Sequence, residues 1–124
     1  MAEKFGHEKL EVYQTALRFT TWIEDIFSNL SCSTDVLTKL DKSSTAIILN
    51  IAGGNGRFSQ ADHVKLLRIA YKSTIQSASL VDLAIAGGYS AGDNIQGGME
   101  MLRQIATKLT ALGKTVSKNT STNT

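Results

Sequence analysis

The chain has 124 residues, a net charge of +2 and no proline, which fits a single, mainly helical domain because helix interiors exclude proline. Its single cysteine, Cys32, excludes an internal disulfide and favours a reducing, cytoplasmic setting. The N-terminus lacks a hydrophobic signal core and no apolar run is long enough to cross a membrane, so we expect neither a secretion signal nor a membrane anchor.

The first predicted helix covers residues 7–30, and apolar side chains occupy well over half of its circumference. A surface helix of a monomer needs an apolar stripe only a little over ~100° wide. One side of this helix can face a bundle core, and the remaining apolar surface predicts contact with another subunit. The side chains assigned to that contact are Phe19, Trp22 and Ile26.

The second predicted helix covers residues 35–52, with Ser33 or Thr34 as its N-cap. The third covers residues 60–86 and is also broadly apolar. Its contribution to the predicted subunit interface is Leu66, Ile69 and Tyr71.

The fourth predicted helix covers residues 93–112 and is closed by Gly113. The polar residues 114–124 are predicted to form a disordered tail. Short connections between long helices imply antiparallel neighbours. The predicted fold class is therefore all-α, an up-down-up-down antiparallel four-helix bundle in residues 1–113.

The glycine-rich stretch NIAGGNGRFSQAD, residues 50–62, lacks the spacing of a phosphate-binding loop and does not follow a strand. It is better explained as the end of one helix and the start of the next. Gly53 or Gly54 is predicted to end the second helix in a left-handed conformation, and Ser59 to cap the third. This explanation gives Arg57 no role. A contact with a phosphate and a contact with another subunit both stay open for it.

Three cations, Lys65, Arg68 and Lys72, share one polar strip of the third helix. At this spacing they can follow a phosphate backbone, or they can form a solvated face that keeps the protein soluble. The net charge of +2 permits a nucleic-acid partner without requiring one. Weaker candidates for nucleic-acid contact are Arg18, Lys39, Lys42, Arg57 and Arg103.

The sequence shows no constellation of catalytic residues. It has no paired carboxylates, no nucleophile elbow and no spacing typical of metal ligands. His7 and His63 are isolated from each other and from Cys32, so ordinary structural roles are expected for them. We therefore expect a protein that is not an enzyme and that holds neither a metal nor a cofactor.

Three stretches of the sequence resemble one known family: the pattern F-x-x-x-x-L-x-V-Y-x-x-A that starts at Phe5, the run NIAGGNGRFS, and the run LLRIAYKSTIQSASLVDLA that starts at Leu66. In this order and spacing, residues 5–112 resemble a four-helix-bundle family. That family includes proteins encoded in intervening sequences of bacterial 23S ribosomal RNA genes and the accessory variability determinant of diversity-generating retroelements. Ala46 stands where the family often has serine, and Gly53 where it usually has glutamate.

The resemblance implies a homopentameric, barrel-like assembly without catalytic residues. The retroelement branch implies binding of RNA or DNA through basic surface and association with a reverse transcriptase that copies a template RNA into mutagenised complementary DNA. The alternative is a ring-shaped protein-interaction scaffold of the 23S rRNA intervening-sequence type that binds no nucleic acid, in which the basic residues only solubilise the ring.

Overall fold

The computed structural model describes residues 5–27, 34–56, 59–87 and 95–122, with side chains described as far as residue 118. A short 3-10 helix, Gly6–Lys9, precedes helix α1, Glu11–Phe27. Three longer helices follow: α2, Thr34–Asn55; α3, Gln60–Ala86; and α4, Ile95–Thr122. No strand occurs within these ranges.

Each helix packs against two others, in the circular order α1, α2, α3, α4. Ser43 of α2 meets Ser77 of α3, whereas Gly54, later in α2, lies against Leu66, earlier in α3. These two helices are therefore antiparallel. The predicted all-α four-helix bundle is confirmed for the described residues, and α1 and α3 occupy opposite corners of it.

Small residues lie at two points of the contact between α2 and α3. Ser43 and Ser77 share a buried hydrogen bond of 2.8 Å between their hydroxyl oxygens, which satisfies two polar groups that burial would otherwise leave unpaired. At the other end of the interface, a Cβ atom on Gly54 would lie 3.4 Å from Cβ of Leu66. The lack of a side chain at Gly54 thus lets the two helices approach closely.

Helix α1 is covered inside a single subunit. Phe19, Trp22 and Ile26 are 0%, 8% and 8% exposed, because α2 and α4 flank α1 on both sides. The prediction that these three side chains form an interface between subunits is corrected: they belong to the core. The width of the apolar arc on α1 reflects its contact with two neighbouring helices.

Helix α4 continues past the glycine that was predicted to end it. It runs to Thr122, and Val116 is buried because it extends the apolar stripe of Leu102, Ile105 and Leu109 by two further turns. The boundary predicted at residue 113 is therefore too early, and the polar segment predicted as a tail is helical from residue 114 to Thr122.

The glycine-rich stretch is only partly as predicted. Ser59 caps α3, since its side chain accepts a hydrogen bond of 3.3 Å from the backbone nitrogen of Asp62. The prediction that Gly53 or Gly54 ends α2 in a left-handed conformation is wrong, because both lie within the helix, which ends at Asn55. The close contact with α3 explains the glycine at position 54. Arg57 lies outside the described residues.

Candidate nucleic-acid interface

The outer face of α3 carries the predicted basic strip. The inner face of this helix is made mostly of small side chains, among them Ala70, Ser73 and Ser77, which pack against α2 and α4. The opposite side therefore faces solvent, and Lys65, Arg68 and Lys72 are all exposed. Their spacing places the first and last about 10 Å apart along the helix axis.

The charge of this strip is not neutralised by neighbouring carboxylates. Neither Lys65, Arg68 nor Lys72 forms an ion pair with any residue in the described ranges. The ion pairs present there join Lys39 to Asp35 at 3.1 Å, Arg103 to Glu100 at 3.3 Å and Lys108 to Glu11 at 3.6 Å. The strip therefore offers three cations to a negatively charged partner.

Lys39 and Lys42 of α2 lie at the edge of an open groove between α2 and α3, with a volume of about 510 Å³. The α3 side of this groove includes Gln76, which follows Lys72 by one helical turn. Lys42 thus adds a positive charge on α2, across the groove from the end of the α3 strip. Lys39 contributes less charge because it is paired with Asp35.

Arg18 is not part of this face. It lies on α1, diagonally across the bundle from α3, where its Nη2 donates a hydrogen bond of 3.0 Å to Oγ1 of Thr15. Lys108 of α4 donates to the same oxygen at 3.3 Å. These contacts place Arg18 at the junction of α1 and α4. Arg103 is also on α4, where it is engaged by Glu100. The structure thus separates both arginines from the α3 strip.

Exposed apolar side chains accompany the basic strip. Of the predicted interface residues on α3, Ile69 and Tyr71 are 39% and 41% exposed, whereas Leu66 is half-buried against α2. Further exposed large apolar residues on these two helices, none of them among the predicted interface residues, are Leu49 of α2 and Ile75, Leu83 and Ile85 of α3. The helical period of α3 was sufficient to find Ile75, which lies one turn after Tyr71.

The one buried side-chain polar atom without a partner in the described ranges belongs to a histidine. Nε2 of His63 is shielded from solvent and makes no hydrogen bond there, and a Cβ on Gly54 would lie 3.0 Å from its Cδ2. Burial lowers the pKa of His63 because desolvation disfavours the charged imidazolium. His63 therefore packs between α2 and α3, where burial favours the neutral form of its imidazole.

No group of three or more potential metal ligands occurs among the described residues. Within the same part of the chain, none of the helices has the length and apolar character needed to cross a membrane.

The sequence pattern of the 23S rRNA-intervening sequence protein family matches residues 8–111. The chain belongs to this family. The resemblance seen in the sequence is thereby confirmed for the intervening-sequence branch. No curated protein matches the chain.

A solved structure supports the fold of this intervening-sequence protein. It is a crystal structure of a protein of unknown function from the S23 ribosomal protein family of Bacteroides thetaiotaomicron. The two chains are 22% identical, with a TM-score of 0.74, and the match covers 83% of this chain and 95% of the other. The similarity extends to the fold alone.

Proposed function

We propose that this intervening-sequence protein is a cytoplasmic, non-enzymatic protein that binds RNA or DNA through α3. The observation that carries the proposal is the strip of Lys65, Arg68 and Lys72, which is exposed and forms no ion pair with the described residues. Such cations neutralise phosphates and release condensed counterions, which favours binding independently of base sequence. Lys42 adds charge from α2, and Arg57 remains a candidate outside the described residues.

A single strip is a weak binding site. Three phosphate contacts on a single strand correspond to a salt slope of about −2 on a double-logarithmic plot. Affinity would then fall by about 20-fold between about 50 and 200 mM salt. Several strips on one particle would bind a long nucleic acid much more tightly, because binding at one strip raises the effective concentration of the nucleic acid at the others.

We further propose that the protein acts as a homopentamer, which would provide those several strips. Exposed Leu49, Ile75 and Leu83 on α2 and α3 support an assembly, because they are large apolar side chains that a subunit contact would cover, at positions other than the three cations. Light scattering coupled to size exclusion is expected to give about five times the subunit mass of 13.4 kDa. A monomer mass would contradict the assembly without affecting the binding proposal.

The cellular role we propose is that of an accessory to the reverse transcriptase of a diversity-generating retroelement, acting together with its template RNA. The support is the sequence resemblance given above. A reverse-transcriptase gene beside this one, and copurification of its product with the tagged protein, are the expected findings. A neighbouring ribosomal RNA operon without such a gene would contradict this role.

The binding proposal is tested by fluorescence anisotropy with labelled single-stranded RNA and duplex DNA across a salt series. We expect binding that weakens with salt. A variant with Lys65→Glu, Arg68→Glu and Lys72→Glu is expected to lose that binding while it keeps its helix content and its oligomeric mass.

The matched control reverses three exposed charges outside the α3 face: Lys9→Glu, Arg18→Glu and Arg103→Glu. Because it changes the net charge by the same amount, it separates the effect of position from the effect of charge. Equal loss of binding in both variants would show that affinity follows net charge and would contradict a site on α3.

The second candidate is a ring-shaped scaffold that binds only proteins. The weak net charge of +2 and the exposed apolar side chains of α2 and α3 favour it. Absence of binding to RNA and DNA at low salt, combined with an intact oligomer, would support this candidate.

A further inference from the structure

An open groove of about 420 Å³ lies between α3 and α4. Its apolar floor includes Val64, Leu67 and Leu109. A second hollow of about 420 Å³ adjoins it, and both are lined by Tyr71 and Lys114. Tyr71, which is 41% exposed, therefore borders both hollows.

Both charged residues among the described lining of the groove are positive. Arg68 stands on the α3 side and Lys114 on the α4 side, and neither forms an ion pair with a described residue. None of the described residues that line the two hollows is acidic. A ligand with an apolar, planar part and negative charge at its ends matches this arrangement.

Gly113 leaves room on the α4 side of the groove. A Cβ atom added to Gly113 would meet no atom within 4 Å, so the backbone at this position borders open space. A planar ring can enter here without displacing a side chain.

We propose that this groove binds a base of single-stranded nucleic acid. The base stacks on Tyr71, while Arg68 and Lys114 contact the flanking phosphates. The inference rests on the proposed function, which it deepens by selecting single strands: bases in a duplex are already stacked and paired, whereas those of a single strand are free to stack on an aromatic side chain.

An acidic helix from a protein partner fits the groove less well. The apolar floor is short, and an amphipathic helix needs apolar contacts at several successive turns. The cations also continue beyond the groove to Lys65 and Lys72 on α3, along a path that a phosphate backbone leaving the groove would follow.

The test compares three fluorescent probes of equal length: an unstructured single-stranded RNA, an abasic single strand and a DNA duplex. The abasic strand keeps the phosphates and lacks the bases. The full-length protein is expected to bind the RNA more tightly than either control. Tyr71→Ala is expected to weaken RNA binding by about 5- to 100-fold, and Tyr71→Phe by less than about twofold.

Gly113→Leu provides an independent variant, because a side chain at this position fills the groove without removing a charge. Leucine also favours the helical state over glycine, so the fold is expected to persist. Its affinity for the RNA is expected to fall to that of the abasic strand, while its affinity for the abasic strand stays unchanged.

The outcomes separate this inference from the proposed function. One outcome is that all three probes bind equally, that Tyr71→Ala and Gly113→Leu leave this binding unchanged, and that the three α3 charge reversals abolish it. This outcome would overturn the groove as a binding site and keep the proposed function. No binding of any probe would overturn both. Loss of the oligomer in the Tyr71 and Gly113 variants would assign the groove to a subunit contact, and binding only of a helical peptide rich in Glu and Leu would assign it to a protein partner; either result overturns the inference.

Discussion

Two adjacent glycines at the start of α4 provide a sharp test of the packing. Gly98 lies against the indole ring of Trp22, and a Cβ atom there would lie 2.5 Å from the ring atoms Cε2 and Cη2. A Cβ on Gly97, in contrast, would meet no atom within 4 Å. Alanine at the two positions therefore adds the same methyl group in opposite environments.

The indole ring has little freedom to move away. Phe19 stacks on Trp22 at a centroid distance of 5.6 Å, and Phe27 meets it edge-on at 5.8 Å. Alanine gains up to about 1 kcal/mol over glycine in a helix, and overpacking costs about 1–3 kcal/mol. Because both variants gain the same helix propensity from alanine, Gly98→Ala is expected to be less stable than Gly97→Ala by about 1–3 kcal/mol.

Urea unfolding measures this difference, with circular dichroism and the fluorescence of the single tryptophan as two probes. All variants are compared at one protein concentration, because assembly changes apparent stability. Gly97→Ala is expected to match or exceed the wild type by up to about 1 kcal/mol. Equal free energies of unfolding for the two alanine variants would refute the close contact between α1 and α4.

Three further predictions concern stability. The free energy of unfolding should decrease as the pH falls through about 6.5, because the unfolded chain binds a proton on His63 more readily than the folded chain does; a pH profile unchanged by His63→Leu would contradict this. A double-mutant cycle of Ser43→Ala and Ser77→Ala should give a coupling of about 0.5–1.5 kcal/mol for their hydrogen bond, and a coupling near zero would argue against that bond. Val116→Ala should lower the free energy of unfolding by about 1–2 kcal/mol, whereas Lys118→Ala, at an exposed position, should change it by less than about 0.5 kcal/mol; equal effects would contradict burial of the final turns.

The sequence predicts a helix end correctly where nearby residues determine that end. Helix α3 has the predicted bounds because the cap at Ser59 and the glycines after Ala86 are local features. The end of α4 was missed because Gly113 resembles a local stop. Burial of Val116 against other helices outweighs that local preference, and such long-range contacts are not visible in a local pattern.

The candidate site was predictable only within one helix. The period of α3 is sufficient to place Lys65, Arg68 and Lys72 on one exposed side. The separation of Arg18 from this strip depends on which helices are neighbours, as does the burial of Trp22 within the subunit. A hydrophobic pattern shows how much surface a helix must cover, and the arrangement of the other helices decides what covers it.

Helix α4 is much longer than α1. It has 28 residues against 17 in α1, about 42 Å against 25 Å, so its last turns extend beyond the level at which α1 begins. A spin label at exposed Lys118 would sit on a helix whose direction is set by its packing in the bundle. In a closed ring of five subunits, such labels give two distinct distances, whereas a dimer or trimer gives one. The extended helix thus allows spectroscopy in solution to test the symmetry of the proposed assembly.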